Sequence, residues 1–315
     1  MLNLDKNYIN KFKLPNTDTR VILNGVYQPE LSDKCDNLIF NQQTLKIPSN
    51  TKTEKPIHLL FLTSQNCDYS IDIIAEENCR FTLLEEHAST KNHPYNNNIK
   101  INILAKNNSE ITYYKLQAEN DVATHNAQTT IKQEQNSKIN SGFIGKGAKI
   151  SQDVLCVELT EKNASYNAIG IIALHDTQTL NYQIRIEHLA PNCTSNILFK
   201  GLIKDKAVGD FNCLVVTHPN AVKTETHVTN KNLLLSELAT MNTAPALETY
   251  ADDVICTHGA TVGQLDQEAL FYLRSRGLSE NKATELLTMA FIQEIIDQFA
   301  KFYQPKITLD TAYEY

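Results

Sequence analysis

Asn108-Ser109-Glu110-Ile111 leads directly into the run Ile111–Leu116, ITYYKL, and this combination decides the fold. The run is rich in β-branched and aromatic residues and is too short for a helix, so it predicts a strand. The same kind of turn, an asparagine followed by a small residue, recurs along the chain. Its occurrences are Asn78-Cys79-Arg80-Phe81, Asn108-Ser109-Glu110-Ile111, Asn136-Ser137-Lys138-Ile139, Asn163-Ala164-Ser165-Tyr166, Asn192-Cys193-Thr194-Ser195 and Asn220-Ala221-Val222.

The small residues of these turns follow a regular spacing. They stand at positions 79, 109, 137, 164, 193 and 221, which are 30, 28, 27, 29 and 28 residues apart. Short strands with such a period predict the stacked coils of a parallel β-helix, with asparagine at corners because it tolerates left-handed backbone angles. An antiparallel sandwich is the alternative, but sandwiches rarely keep so regular a spacing. We therefore predict a mainly β protein whose parallel β-helix spans residues 46–263.

The first 45 residues are predicted to form a short separate segment. Within it, Val21–Tyr27 contains Asn24-Gly25, the pair that supplies the positive backbone angles of a type I′ hairpin turn.

Residues 264–303 have helical rather than strand periodicity. Asp266 is suited to cap a helix over 267–276 that ends at Gly277, and Ser279 is suited to cap a second helix. The apolar stripe of the second helix consists of Ala283, Leu286, Leu287, Ala290, Phe291, Ile295, Phe299 and Phe302. Such a stripe either packs on its own domain or presents a groove to a partner. Leu286, Phe291 and Ile295 are the predicted partner-binding residues, and residues 304–315 are predicted to be a tail.

Composition excludes several classes of protein. The chain has 315 residues, 42% of them hydrophobic, so it can bury a sizeable core. Its seven cysteines include no C-x-x-C pair, which argues against a disulfide framework or a four-cysteine zinc site. A net charge of −7 argues against a nucleic-acid surface. No apolar run approaches the length of a membrane span and no secretory signal is evident, so we expect a cytoplasmic location.

Cys256 and His258 form the densest pair of reactive side chains. Two residues apart on a strand, they point to the same face and could bind one soft or borderline metal ion. Two ligands do not close a metal site, so a second chain would supply the rest. A buried cysteine beside a hydrogen-bonded histidine is the alternative. The polar stretch over 85–98 predicts a loop, in which His87 is a surface or packed histidine.

The sequence gives little support to an enzymatic function. The chain lacks the G-x-S-x-G elbow of a serine hydrolase and the G-x-x-x-x-G-K-[ST] pattern of a phosphate loop. A β-solenoid enzyme that acts on acidic polysaccharides is the alternative function.

The stretch Asn230–Asp297 resembles the C-terminal part of the SufB/SufD family of iron–sulfur cluster assembly scaffolds. The resemblance is carried by YADDVICTHGATVG at Tyr250–Gly263 and FYLRSRG at Phe271–Gly277, with weaker similarity back to NGVYQPELS from Asn24. It implies a right-handed parallel β-helix followed by helices, without catalytic activity. It also implies two partners in a SufBCD complex: a SufB-type subunit joined through the β-helix ends, and a SufC-type ABC ATPase bound at the helical end.

Two positions indicate the D-type branch of the family. Ala239 stands where B-type members carry a sulfur-accepting cysteine, and Gly259 follows His258 where B-type members tend to have glutamate. The resemblance implies that His258, with Cys256 beside it, contributes to a transient iron or iron–sulfur cluster site at the subunit interface. It implies no intrinsic cofactor, leaves reduced flavin as a ligand of the assembled complex, and allows a homodimer when the chain is alone.

Overall fold

The computed structural model describes residues 6–33, 38–41 and 43–300, which form nineteen strands and three α-helices. The strands are β1 (Asp18–Leu23), β2 (Val26–Tyr27), β3 (Ile39–Phe40), β4 (Thr44–Ile47), β5 (Ile57–Thr63), β6 (Cys67–Ala75), β7 (Arg80–Ser89), β8 (Asn96–Ala105), β9 (Glu110–Ala118), β10 (Thr124–Gln133), β11 (Lys138–Gly145), β12 (Ile150–Leu159), β13 (Ser165–Leu174), β14 (Thr179–His188), β15 (Thr194–Ile203), β16 (Val208–Thr217), β17 (Glu225–Leu234), β18 (Thr240–Thr249) and β19 (Ile255–Gln264). The helices are α1 (Lys6–Ile9), α2 (Gln267–Ser275) and α3 (Glu280–Ala300), and a 3-10 turn spans Pro29–Leu31.

From β4 onward, successive strands alternate between two sheets. Sheet A runs β19-β17-β15-β13-β11-β9-β7-β5-β1-β2, and sheet B runs β18-β16-β14-β12-β10-β8-β6-β4-β3. Apart from the antiparallel pairs β1–β2 and β3–β4, neighbouring strands are parallel and about one coil apart in sequence. Thr124 of β10, for example, lies between Asn96 of β8 and Ile150 of β12. The chain is therefore a parallel β-helix of about eight turns, and the predicted fold is confirmed.

The core lies between the two sheets. Alternate residues are buried in strands such as β8 and β12, because successive side chains of a strand point to opposite faces. The largest buried side chains include Tyr166, Phe199 and Phe211, each at most 1% exposed. Burying one such aromatic side chain contributes about 2 to 3 kcal/mol, so the stacked coils stabilise one another mainly through this interior.

Asparagines stack at one corner of the coils. Asn50, Asn78, Asn108, Asn136 and Asn163 all have φ between 56° and 62°. From Asn78 onward, the side-chain Nδ2 of each donates to the side-chain Oδ1 of the preceding asparagine, at 2.9 to 3.2 Å. The predicted corner role of the repeated asparagines is confirmed here and at Asn192, with φ of 58°.

The sixth predicted corner is displaced. The positive φ falls on Lys223, at 58°, rather than on Asn220. The backbone N–H of Asn192 donates to the carbonyl of Val222, and this bond stacks Lys223 on Asn192 at the corner of the next coil. The prediction was wrong by three residues because this turn is longer than the others, and Thr224 takes the buried small-residue position.

The N-terminal hairpin is confirmed and also belongs to the solenoid. β1 and β2 pair antiparallel across Asn24 and Gly25, whose φ angles are 51° and 76°. β1 pairs in parallel with β5 at the same time, so it begins sheet A. The predicted domain divisions remain predictions.

Both predicted helix starts are found. The Asp266 carboxylate accepts from the backbone N–H groups of Glu268 and Ala269, α2 ends at Ser275, and Gly277 has a φ of 93°. Ser279 accepts from the backbone N–H of Lys282 at the start of α3.

Helix α3 turns back and packs on the outer face of sheet A. Its buried residues Ile292, Ile295 and Phe299 join a cluster that includes Tyr114 and Leu202 of the sheet. The predicted stripe therefore serves in part to cover the solenoid's own flank. Phe302 and the predicted tail lie outside the described residues.

Candidate functional site: the open end of the solenoid

β18 and β19 end the two sheets. Within residues 43–300, β18 pairs only with β16, and β19 pairs only with β17. Each of the two strands has ten residues, so the final coil presents two long strand edges and its interior face to the surroundings. Unpaired edges of this length are templates for pairing with another chain.

Cys256 and His258 both face into this open end. Cys256 is in register with Thr226, and His258 with Val228, whose side chains are buried in the coil beneath. Because parallel partners in register point to the same face, the two residues share the interior face of β19. Cys256 is half-buried and His258 is exposed. The structure thus agrees with the predicted common face, while the proposed role of the pair stays a prediction.

A line of polar groups lies beneath Cys256. The hydroxyl of Thr226 is 2.7 Å from Ser195 Oγ, which is 2.9 Å from His188 Nε2 in the coil below.

Burial raises the pKa of the Cys256 thiol above its usual value, and a hydrogen bond with Thr249 lowers it by a smaller amount. The thiol is therefore protonated at neutral pH, and binding a metal ion would require loss of this proton.

The described part of the chain does not complete a metal site at the open end. No further His, Cys, Asp or Glu among residues 6–33, 38–41 and 43–300 joins Cys256 and His258 in a group of three within ligand distance. Two protein ligands leave the tetrahedral or octahedral coordination of iron unfilled. Any stable site here needs ligands from elsewhere.

The edge of β19 is more available than that of β18. Ile255 donates its backbone N–H to Thr224 of the coil beneath, so the alternate residues Cys256 and His258 direct their backbone groups to the open side. On β18 the corresponding residues include Pro245, which has no N–H to donate. A partner strand would therefore find a continuous row of donors and acceptors only along β19.

The helical end exposes a different surface. Phe271 and Tyr272 of α2 are 74% and 57% exposed, and Leu286 of α3 is 50% exposed. Of the predicted partner-binding residues, Leu286 is accessible, Phe291 is half-buried, and Ile295 is completely buried against sheet A. Ile295 therefore positions the helix rather than contacting a partner in this conformation. Phe271 and Tyr272 were not singled out from the sequence, although they lie in its FYLRSRG segment.

The chain matches the family model described as SUF system FeS cluster assembly, SufBD core domain, over residues 63–291. It belongs to the SufBD family. An iron–sulfur cluster assembly SufBD family protein of Synechocystis is 33% identical over 267 residues, which cover 80% of this chain and 58% of the relative. The iron–sulfur cluster assembly protein SufD of Escherichia coli is 27% identical over 80% of this chain and 62% of its own length. The chloroplastic protein ABCI7 of Arabidopsis thaliana is 25% identical over 88% of this chain and 58% of the relative.

This SufBD chain thus spans about three fifths of the length of these relatives. The family match covers β6 to β18 completely and includes the open end and most of α3. Among its described residues, no helix has the length and apolar character needed to cross a bilayer. Membership of an iron–sulfur cluster assembly family gives no support to the polysaccharide-acting alternative.

The predicted loop around His87 was wrong, whereas the packed alternative for its side chain agrees with the structure. Residues 85–89 belong to β7, not to a loop, and His87 is completely buried in the interior. It lies near Glu119 and His125 in the one group of three possible metal ligands found among the described residues. The repeat spacing could have placed His87 in a strand, because His87 pairs in register with Gln117 of β9, thirty residues later.

Proposed function

We propose that this chain is the SufD-type scaffold subunit of an iron–sulfur cluster assembly complex, without turnover of its own. It joins a SufB-type subunit through its open end and recruits a SufC-type ATPase through its helical end. The observation that carries the proposal is the placement of Cys256 and His258 on the interior face of an unpaired terminal coil. The family match and the SufD relatives support the same assignment.

The open end suits a second solenoid. Its interior face combines apolar side chains, such as Met241, Leu247 and Val262, with the polar pair on β19. A partner that adds a strand along β19 gains backbone hydrogen bonds and covers these apolar groups. Burial of the apolar part drives association at about 25 cal/mol per Å². In the absence of a SufB-type subunit, the same end can pair with a second copy of this chain.

The pair on β19 suits an iron or cluster intermediate rather than a permanent metal. A thiolate and an imidazole are both iron ligands, but the described part of this chain contributes only these two at the open end, so the partner supplies the others. The raised pKa of Cys256 keeps the thiol protonated until a metal ion or a new neighbour favours the thiolate. Such a site forms when the two ends meet and is lost when they separate, which suits assembly and release of a cluster.

The ATPase-binding surface comprises Phe271, Tyr272 and Leu286 in this proposal. All three are large apolar side chains exposed on α2 and α3, and exposed side chains of this kind are frequent at partner sites. Ile295 anchors α3 beneath them.

Reduced flavin remains a proposed ligand of the assembled complex, to be checked by the absorbance of the co-purified complex.

The test is co-expression with candidate SufB-type and SufC-type partners, purification on one tag, and mass determination of the complex. We expect an assembly that contains all three chains. The substitution Val262→Lys, on the interior face of β19, should abolish binding of the SufB-type subunit and leave the ATPase bound. Thr261→Lys, on the outer face of the same strand, is the matched control and should assemble normally.

The helical surface is tested in the same assay. Leu286→Glu and Phe271→Glu should weaken ATPase binding by at least about tenfold, since loss of one buried anchor costs 2 kcal/mol or more. Asn281→Glu, an exposed change on the first turn of α3, should have no effect. A chain that purifies alone with both partners present would contradict the proposed function.

A further inference from the structure

A cluster of buried ionisable side chains lies inside the first half of the solenoid. All of its members are at most 6% exposed. They are Glu85 and His87 on β7, Lys115 on β9, Glu119 just after β9, His125 on β10 and Asp153 on β12. Buried ionisable groups are costly unless they are paired or bind a metal ion, so the cluster needs a physical explanation.

Each histidine has one ring nitrogen held by a carboxylate. His87 Nε2 lies 2.5 Å from Glu85 Oε1, and His125 Nδ1 lies 2.8 Å from Glu119 Oε1. The other nitrogens, His87 Nδ1 and His125 Nε2, are completely buried and have no hydrogen-bond partner among the described residues. His87 has the arrangement typical of a metal-binding histidine, with a carboxylate fixing the ring and the second nitrogen left for the metal. In His125 the nitrogen beside Glu119 is the one that a shared ion would bind, so the ion would replace the proton between His125 Nδ1 and Glu119 Oε1.

Three side chains converge closely enough to share an ion. One ligand atom each from His87, Glu119 and His125 lies within 4.8 Å of the others. Bonds of about 2.1 Å in a tetrahedral site place ligand atoms about 3.4 Å apart, so the side chains need to close by roughly 1 Å. Neutral amides already orient the carboxylate: Asn97 donates to Glu119 Oε1 at 2.9 Å, and Gln117 donates to Glu119 Oε2 at 2.6 Å.

The charge of the cluster also favours a cation. Three carboxylates, Glu85, Glu119 and Asp153, face a single ammonium group, that of Lys115, which leaves two negative charges when the histidines are neutral. A divalent cation balances two negative charges in a medium where unbalanced charge is expensive.

We propose that His87, Glu119 and His125 bind one divalent first-row transition-metal ion, such as Fe²⁺ or Zn²⁺, inside the solenoid. Two imidazoles and one carboxylate form a donor set that suits these ions rather than Mg²⁺ or Ca²⁺. Glu85, Asn97 and Gln117 hold the ligands in place.

This site is distinct from the open end. From β10 to β18 there are four strand steps in sheet B, or about 19 Å at 4.8 Å per strand. The interior between them is filled by the aromatic rings of Phe143, Tyr182, Phe199 and Phe211, whose neighbouring centroids are 4.5 to 5.2 Å apart. The ion would therefore belong to the body of this chain and not to the interface.

The test uses the full chain with Cys256→Ala and His258→Ala, so that the open end contributes no ligands. The protein is stripped with a chelator and titrated without oxygen with Co²⁺, which reports its ligands by visible absorption, and then with Zn²⁺ in competition. We expect a single Co²⁺ per chain that Zn²⁺ displaces. Glu119→Gln and His125→Asn should each weaken binding by at least about tenfold.

His188→Asn is the matched control. His188 is also completely buried and has one nitrogen, Nδ1, without a hydrogen-bond partner, but its other nitrogen contacts a serine and not a carboxylate. This variant should bind Co²⁺ as the parent does. X-ray absorption of the Zn²⁺-loaded parent gives a second readout that needs no variant, and it should show imidazole and oxygen ligands. Absence of stoichiometric binding, equal binding by Glu119→Gln and His125→Asn, or a ligand shell without imidazole would overturn the proposal.

Discussion

The ammonium group of Lys200 lies 2.9 Å from the carboxylate of Glu294, and this contact ties helix α3 to the outer face of sheet A. The same ammonium group donates to the backbone carbonyl of Phe291 at 2.7 Å. The Lys200 side chain is only 7% exposed, and its charge lowers the pKa of Glu294. The orientation of the helical surface therefore depends on a residue of β15, the third strand of sheet A counted from the open end.

Replacing Lys200 by methionine should loosen this attachment. The stem of the side chain is retained, but Glu294 and the Phe291 carbonyl lose their donor, so we expect unfolding to become easier by about 1 to 2 kcal/mol. Chemical denaturation measures this change. Lys282→Met is the control: Lys282 is an exposed residue of α3 that pairs with Glu285 three residues on, so its loss should cost at most about 0.5 kcal/mol. Equal costs would show that Lys200 does not hold the helix.

Gly142 allows α3 to approach the sheet. A Cβ atom at this position would overlap the rings of Tyr114 and Phe299. Gly142→Ala should therefore destabilise the docked helix by about 1 to 3 kcal/mol, the usual cost of overpacking. Faster amide hydrogen exchange over residues 288–299 is the measurement that assigns the loss to α3.

Gly263 provides the comparison for that variant. A Cβ at Gly263 has no neighbour within 4 Å in the described structure, so Gly263→Ala should leave both exchange and stability unchanged. If Gly142→Ala behaves in the same way, the close approach of Phe299 to the sheet is not what fixes the helix.

His188 should make folding sensitive to mild acid. Burial lowers its pKa to about 4 in the folded chain, from 6.5 when unfolded. Below pH 6.5 the unfolded state therefore binds a proton that the folded state does not, and stability falls as the pH drops towards 4. The contribution between pH 7 and pH 5 is about 2 kcal/mol.

The measurement is urea denaturation of the parent and of His188→Gln at both pH values. The variant should lose less stability between pH 7 and pH 5 than the parent does, by about 2 kcal/mol. Parallel losses in the two proteins would place the acid sensitivity elsewhere.

His258→Ala should impair cluster assembly and leave folding intact. The side chain is exposed, so its removal should change the unfolding free energy by less than about 0.5 kcal/mol. Cluster maturation in cells and on the purified complex is the readout. His227→Ala, on the outer face of the neighbouring strand, should mature clusters normally. Normal maturation by His258→Ala would remove His258 from the proposed site.

The repeat of asparagine corners was sufficient to predict the fold because it is a local property. A left-handed backbone angle needs only a suitable residue, and stacking of coils needs only a constant spacing. The same locality explains why Asp266, Ser279 and the Asn24-Gly25 turn were correctly predicted. The displaced corner at Lys223 shows the limit of this prediction. A longer turn leaves the left-handed residue stacked on the other corners but changes its position in the sequence repeat.

The sequence by itself determined that Cys256 and His258 share a face of a strand, because alternation along a strand is independent of its surroundings. Only the tertiary structure decided that this face is the uncovered interior of the last coil, that Ile295 is buried while Leu286 is exposed, and that His87, Glu119 and His125 meet. Those relationships join side chains from different strands, or depend on which flank a helix covers. They arise from the stacking of whole coils, and the pattern of any single strand does not contain them.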